Sequence, residues 1–159
     1  MVTEGLRVVR YITADDVPAK VSDALKRANQ EIYERTLTEV DKQGMGTTAS
    51  ILILGQDRYL IGQVGDSRIY LLRDGKLAQL TKDHSYVQEQ VDAGFLTPEQ
   101  ARYHPYSNVI TRCVGAGSDV EPDTYRGGLH RGRPVLGASG GPTARVGDRA
   151  RQRPPPSRC

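Results

Sequence analysis

The chain has no tryptophan, one phenylalanine and two cysteines in 159 residues, and each scarcity excludes something. Two cysteines, Cys113 and the terminal Cys159, make neither a disulfide framework nor a thiolate metal site. Cys113 is read as an ordinary buried thiol. Without Trp and with a single Phe, the core has to be aliphatic and anchored by tyrosines. No apolar run approaches the roughly 20 residues that a membrane-spanning helix needs. The N-terminus lacks the basic, apolar and small-residue order of a signal peptide, so a cytoplasmic protein with no membrane partner is expected. A chain of this length ordinarily folds as one domain, burying about 70% of its unfolded surface.

The net charge of +3 conceals two unlike parts. Residues 1–125 hold 14 basic and 18 acidic side chains, whereas residues 126–159 hold 8 Arg and 1 Asp. Of those last 34 residues 12 are Gly or Pro, and large apolar groups are scarce. Burial there cannot offset the entropy of ordering, so residues 129–159 are expected to form a degenerate, disordered tail. The tail arginines lack interleaved aromatics and helical spacing. They read as solvated charge, with no nucleic-acid partner.

Upstream, Val17, Val21, Leu25, Ala28 and Ile32 recur at the spacing of an amphipathic helix, with Asp15 and Asp16 near its positive end. Segments 47–54 and 59–64 read as strands. Segments 69–73 and 76–80 flank Asp74-Gly75, a two-residue hairpin signal, so a four-stranded antiparallel meander is expected. Ile51-Leu52-Ile53-Leu54 is apolar on both faces, which suggests a central strand. Ser85 with Gln88, and Thr97 with Gln100 where Pro98 takes the first helical position, are capping-box patterns for two short helices, the first ended by Gly94. Segment 109–114 reads as a returning strand.

The chemistry-bearing residues lie between these elements. Gly65 permits an unusual turn, Asp66 supplies a hard carboxylate suited to a divalent cation, and Ser67 and Arg68 add a hydroxyl and a fixed cation. Asp66 read alone is a turn-capping aspartate bonding to nearby backbone amides, and only the flanking motifs favour a metal-site carboxylate. A nucleophilic Ser67 served by His84 or His104 would need an orienting third group and an oxyanion hole, for which no pattern is present. Gly44 to Thr48 is no phosphate-binding loop, since no Gly-Lys-Ser/Thr follows. His104-Pro105 is also compatible with a plain rigid turn.

In order along the chain, Gly44-Met45-Gly46-Thr47-Thr48, Gly65-Asp66-Ser67-Arg68-Ile69-Tyr70, Leu80-Thr81-Lys82-Asp83-His84-Ser85 and His104-Pro105 through Thr111-Arg112 resemble the bacterial type 2C metal-dependent protein serine/threonine phosphatases, the PPM family. The resemblance covers about residues 17–128. It implies an α+β fold, an α-β-β-α sandwich of antiparallel sheets flanked by helices, and a partial phosphatase-like catalytic domain over residues 1–128. It also implies an Mg²⁺ or Mn²⁺ cluster whose bridging water attacks phosphoserine or phosphothreonine directly. Such metals favour carboxylate oxygens, acidify water and neutralise phosphoryl charge. The partners implied are phosphorylated proteins, substrates of a bacterial Ser/Thr kinase.

By position, Asp66 matches an accessory ligand of a third metal. Residues 83–106 match the mobile flap beside the site, with Asp83, His84, Ser85, His104 and Asn108 governing substrate access. Gly46, Thr47, Gly65, Ser67 and Arg68 are the structural residues next to the site. The family's Asp-Gly-Met-Gly-Gly motif and phosphate-binding Arg have no match in residues 1–11. Gly140 stands where a metal-binding Asp belongs, and the final Asp-Asn pair is missing. The sandwich is therefore expected to be incomplete at both ends, no catalytic residue intact and metal binding weak. The alternative is a non-catalytic binding or regulatory module, or an unstable fragment.

Overall fold

The computed structural model describes residues 16–129 and the backbone of residues 135–139. Helix α1 (Val17–Thr38) is followed by a single 3-10 turn at Val40–Lys42. Strands β1 (Ala49–Leu54) and β2 (Arg58–Val64) form one hairpin, and β3 (Arg68–Arg73) and β4 (Lys76–Gln79) a second. Two short helices, α2 (Tyr86–Asp92) and α3 (Pro98–Arg102), precede β5 (Asp123–Gly128) and β6 (Val135–Ser139). The mixture of helices and antiparallel sheets is the α+β class expected.

The strands divide between two antiparallel sheets, ordered β1-β2-β5 and β4-β3-β6. This corrects the single meander. Gly65, at φ +100°, lies in the turn after β2, and from there the chain leaves the first sheet and enters the second. It also corrects the place of β1, which has β2 as its one neighbour among the described strands and is only half-buried. The buried central strand is β2, whose last five residues, Leu60 to Val64, are all buried. Its sequence hid this, because Gly62 and Gln63 interrupt the apolar run.

Helix α1 turns Val17, Val21 and Leu25 inward, and they pack with Leu60, Val64, Val114 and Val120 as the core. Ala28, Ile32, Ala49, Ile51 and Ile53 pack against that cluster. Burying each Val or Leu side chain contributes about 1.5–3 kcal/mol. The close approach of α1 to β2 depends on Gly62. A Cβ there would stand 2.4 Å from Val21 Cγ1 and 3.2 Å from Leu25 Cδ1.

Local signals mostly correspond. Asp74 and Gly75 both take positive φ, at 50° and 74°, and join Arg73 to its partner Lys76. Thr97 and Gln100 make the reciprocal box at α3, and Gly94, at φ +77°, follows α2. Ser85 caps α2 by accepting from Gln88 N, but the Gln88 side chain bonds Asp92 instead of closing the box. Segment 109–114 is not a strand. Its order comes from two isolated bridges, Ser85 with Ile110 and Thr47 with Val114.

Strand β6 falls within the segment expected to lack structure. It pairs antiparallel with β3 from Arg68–Ser139 to Leu72–Val135. The physical reason is the unsatisfied backbone edge of β3, which a short strand-capable run beginning just after Pro134 can complete. The rest of the expected tail, residues 130–134 and 140–159, lies outside the described residues, as do residues 1–15, Gly140 and Cys159. Cys113 is buried, as its type predicts. Among the described residues no helix is long and apolar enough to cross a membrane.

Candidate functional site

The four motifs meet at the end of β2. Gly65 sits against Thr48, and a Cβ on Gly65 would stand 2.3 Å from Thr48 Cγ2 and 2.6 Å from its Cβ. Only glycine combines that contact with φ +100° at little strain. Thr48 Oγ1 and Ser67 Oγ are hydrogen-bonded at 2.8 Å, and Thr47 exchanges backbone bonds with Val114 at 2.9 and 2.8 Å. The Gly46-Thr47-Thr48 segment is thereby locked to both the turn and the chain following the flap. Gly46 is half-buried within it.

Gln63 fixes the turn from inside. Fully buried, it donates through Nε2 to the carbonyls of Gly65 and Ser67 at 3.0 and 2.6 Å, while Oε1 accepts from Ser50 Oγ at 2.6 Å. A polar side chain in such a place is retained only when its groups are satisfied.

Three residues of the Thr81 to Ser85 segment, Thr81, Asp83 and His84, are bonded to the turn and the start of β3. Thr81 Oγ1 accepts from Ile69 N at 3.0 Å. Asp83 receives Arg68 in a forked pair, Nε to Oδ1 at 2.8 Å and Nη2 to Oδ2 at 2.6 Å, with Gln79 Nε2 at 3.3 Å from Oδ1. The Asp83 carboxylate holds the Arg68 guanidinium in its charged form, raising its pKa above the ordinary value even against partial burial. His84 donates its backbone N–H to Gly65 O at 3.0 Å, and its Nδ1 lies 3.1 Å from Gly65 N.

His84 Nε2 reaches Asp123 Oδ2 at 3.1 Å. Asp123 also accepts from Arg112 Nη1 at 3.0 Å and from the Tyr125 hydroxyl at 3.0 Å. Burial pushes the His84 pKa below the ordinary histidine value, a pull that the bond to Asp123 only partly offsets. For Asp123 burial acts upward, but the bonds from His84, Arg112 and Tyr125 together leave its pKa below the ordinary value. Burial and the adjacent carboxylate push the Tyr125 phenol up to about 12.

Asp66, the carboxylate at the head of the turn, is 2% exposed. Of the residues assigned to the flap, Asp83, His84 and Ser85 are buried at its root. His104 lies among Tyr86 and Tyr106, with ring centroids 5.7 and 5.6 Å away, and its Nδ1 accepts from Tyr106 N at 3.1 Å. Asn108 is exposed in the following turn. These positions remove the nucleophilic-serine reading. The Ser67 hydroxyl is paired with Thr48, both His84 ring nitrogens face other groups, and His104 is part of an aromatic cluster.

A divalent cation needs several oxygen ligands. Among the described residues no group of three or more His, Cys, Asp or Glu could hold a metal. Asp66 with its described neighbours therefore does not complete a metal site by itself.

Sequence reasoning missed Gln63, Asn29 and Asp123. Asn29 is buried on α1, accepting from Gly115 N at 2.7 Å and donating to Gly117 O at 3.0 Å. Its signal was available, since it follows Leu25 by four on the apolar stripe. Gln63 carries no such signal, because a polar residue that interrupts an apolar run does not show that it will be buried. Asp123 carries no local signal, because its partner His84 is 39 residues away.

Comparison with known proteins shows the family of this fold. The model of the family "Protein phosphatase 2C" matches residues 9–90, more than half of the chain. The serine/threonine protein phosphatase PstP of Mycobacterium tuberculosis is 43% identical over 107 residues, covering 67% of this chain and 21% of PstP. The crystal structure of the serine/threonine phosphatase Stp1 from Staphylococcus aureus superposes with a TM-score of 0.73 at 31% identity, covering 77% of this chain and 48% of Stp1. The catalytic domain of PstP in complex with two manganese ions gives a TM-score of 0.64 at 36% identity, covering 77% of this chain and 50% of that domain. The chain thus spans half or less of these relatives. With Gly65-Asp66, Arg68, Asp83 and His84 bonded as one unit inside the matched fold, the chain belongs to the protein phosphatase 2C family.

Proposed function

We propose that this chain is part of a metal-dependent protein phosphatase that hydrolyses phosphoserine and phosphothreonine in proteins, acting opposite a bacterial Ser/Thr kinase in the cytoplasm. The observation that carries this reading is the bonded corner, in which Thr48 pairs with Ser67, Gly65 with His84 and Arg68 with Asp83, and Asp66 is buried in the same turn. The relatives named as Ser/Thr phosphatases support it. So does the pair of manganese ions in the PstP domain, which makes Mn²⁺ or Mg²⁺ the natural cofactor class. When bound, such ions supply an activated water and offset phosphoryl charge.

The part played by this chain's residues is scaffolding. Asp66 is offered as an accessory metal ligand, and Gly65, Ser67, Arg68, Gly46 and Thr47 hold its turn. Asp83, His84 and Ser85 anchor the flap on which His104 and Asn108 sit. With no group of three or more His, Cys, Asp or Glu among the described residues to hold Mg²⁺ or Mn²⁺, the metal is held weakly and catalysis by this chain alone is impaired. A second reading, a non-catalytic phosphatase-like binding or regulatory module, is favoured by the lack of a three-ligand group among the described residues.

Hydrolysis of para-nitrophenyl phosphate by the purified chain, with and without Mn²⁺, tests both readings beside a thermal melt. The expected result is a cooperative melt with little or no turnover. Metal-stimulated turnover would refute the impaired assignment, and the absence of a cooperative melt would mark an unstable fragment.

A further inference from the structure

We propose that His84 is a positioning residue that fixes the Gly65–Asp66 turn as a neutral ring protonated on Nε2, with Asp123 selecting that tautomer. The assignment follows from which groups can donate. Gly65 N–H can only donate, so Nδ1, 3.1 Å away, must be the unprotonated acceptor. Asp123, held ionised by its donors, can only accept at Oδ2, so the ring proton sits on Nε2. Arg112 and Tyr125 hold the carboxylate from its other sides, and Asp83 is the remaining charge acting on the ring.

Three segments that are distant in sequence converge on this one residue. Its backbone N–H donates to Gly65 O, and its carbonyl accepts from Thr111 N at 2.9 Å. The next residues close the root of the flap, through the Ser85–Ile110 bridge and the bond from Tyr86 N to Val109 O at 2.9 Å. The ring thus joins the β2–β3 turn to the start of β5, while the backbone at and beside the same residue joins the two ends of the flap. At 2% exposure the ring has no water to replace a lost partner. A ring that merely filled space would be indifferent to which nitrogen carried the proton.

The inference does not depend on phosphate-ester hydrolysis, so its test and that of the phosphatase reading fail separately. Long-range proton–nitrogen correlation on the 159-residue chain at neutral pH reads the tautomer directly. The expected spectrum has a protonated-type Nε2 and an unprotonated Nδ1. A proton on Nδ1, an imidazolium, or no dispersed His84 signal would overturn the proposal.

Two variants separate positioning from bulk. In His84→Asn the amide oxygen lies where Nδ1 lies, whereas in His84→Gln the amide nitrogen lies where Nε2 lies. Gly65 amide exchange, normalised to global stability, should stay within about threefold of the parent in His84→Asn and accelerate about tenfold in His84→Gln, as the loss of one hydrogen bond implies. Equal acceleration in both variants would contradict the assignment.

Discussion

The corner at the end of β2 and the flap that follows it are neighbours with opposite construction. In the corner Gln63, Asp66, Thr81, Asp83, His84 and Ser85 are all buried. In the flap Phe95 is 76% and Tyr103 81% exposed, and the two helices have seven and five residues. Helices so short do not hold themselves together in water. The flap derives its order from its root and from the Tyr86, His104 and Tyr106 rings. The lesson is that dense polar bonding is concentrated where the family motifs meet, while the element beside them presents its large side chains to solvent.

Substitutions should show that asymmetry, beginning with the corner. Gly65→Ala forces an L residue to φ +100° and drives a Cβ into Thr48. It should destabilise the chain by about 3 kcal/mol or more in urea titration, and a loss under about 1 kcal/mol would contradict the close fit. Arg68→Ala leaves the buried Asp83 carboxylate with little compensation. A loss of about 2–4 kcal/mol is expected, discounted from a fully buried pair because Arg68 is 32% exposed. Asn29→Ala strands Gly115 N–H and Gly117 O and should cost about 2 kcal/mol in the same assay.

Acid should weaken the corner in two stages. Because the folded pKa of His84 is depressed, the unfolded chain binds the extra proton first. Its contribution is intact above the ordinary histidine value of about 6.5 and is lost as pH falls below it toward the folded value. The depressed pKa of Asp123 adds stability above the ordinary carboxylate value, lost only as pH falls through about 3.8 and below. Urea midpoints should therefore decline between pH 7.5 and 5. His84→Asn should flatten that decline, and an unchanged slope would sink the histidine assignment.

The smallest effect belongs to the flap surface. Lys82→Ala removes an ion pair with Asp92 whose side chains are 52% and 39% exposed, and it should change stability by less than about 0.5 kcal/mol. A larger loss would mean that the flap contributes to the core.

Local chemistry was well legible in the sequence. The Asp74-Gly75 turn, the Thr97 box, the α1 stripe and the family motifs each depend on residues within a few positions of one another. Long-range organisation was less so. Periodicity cannot show that β2 and β3 lie in different sheets, nor that the more apolar β1 has one described neighbour while the interrupted β2 is central. Residues 109–114 look like a strand because their apolar residues serve bridges and core contacts. The buried, directional roles of Asp123 and Gln63 depend on partners that folding brings together.

Hydrogen exchange of the 159-residue chain, recorded residue by residue with and without Mn²⁺, tests the central claim most directly. The claim is a rigid phosphatase-family corner whose described residues do not complete a metal site. Amides of residues 61–69 and 83–85 should exchange at least about a hundredfold more slowly than those of residues 90–108. Millimolar Mn²⁺ should leave both sets unchanged. Uniform exchange across corner and flap, or strong Mn²⁺-induced protection at Gly65 and Asp66, would contradict the account.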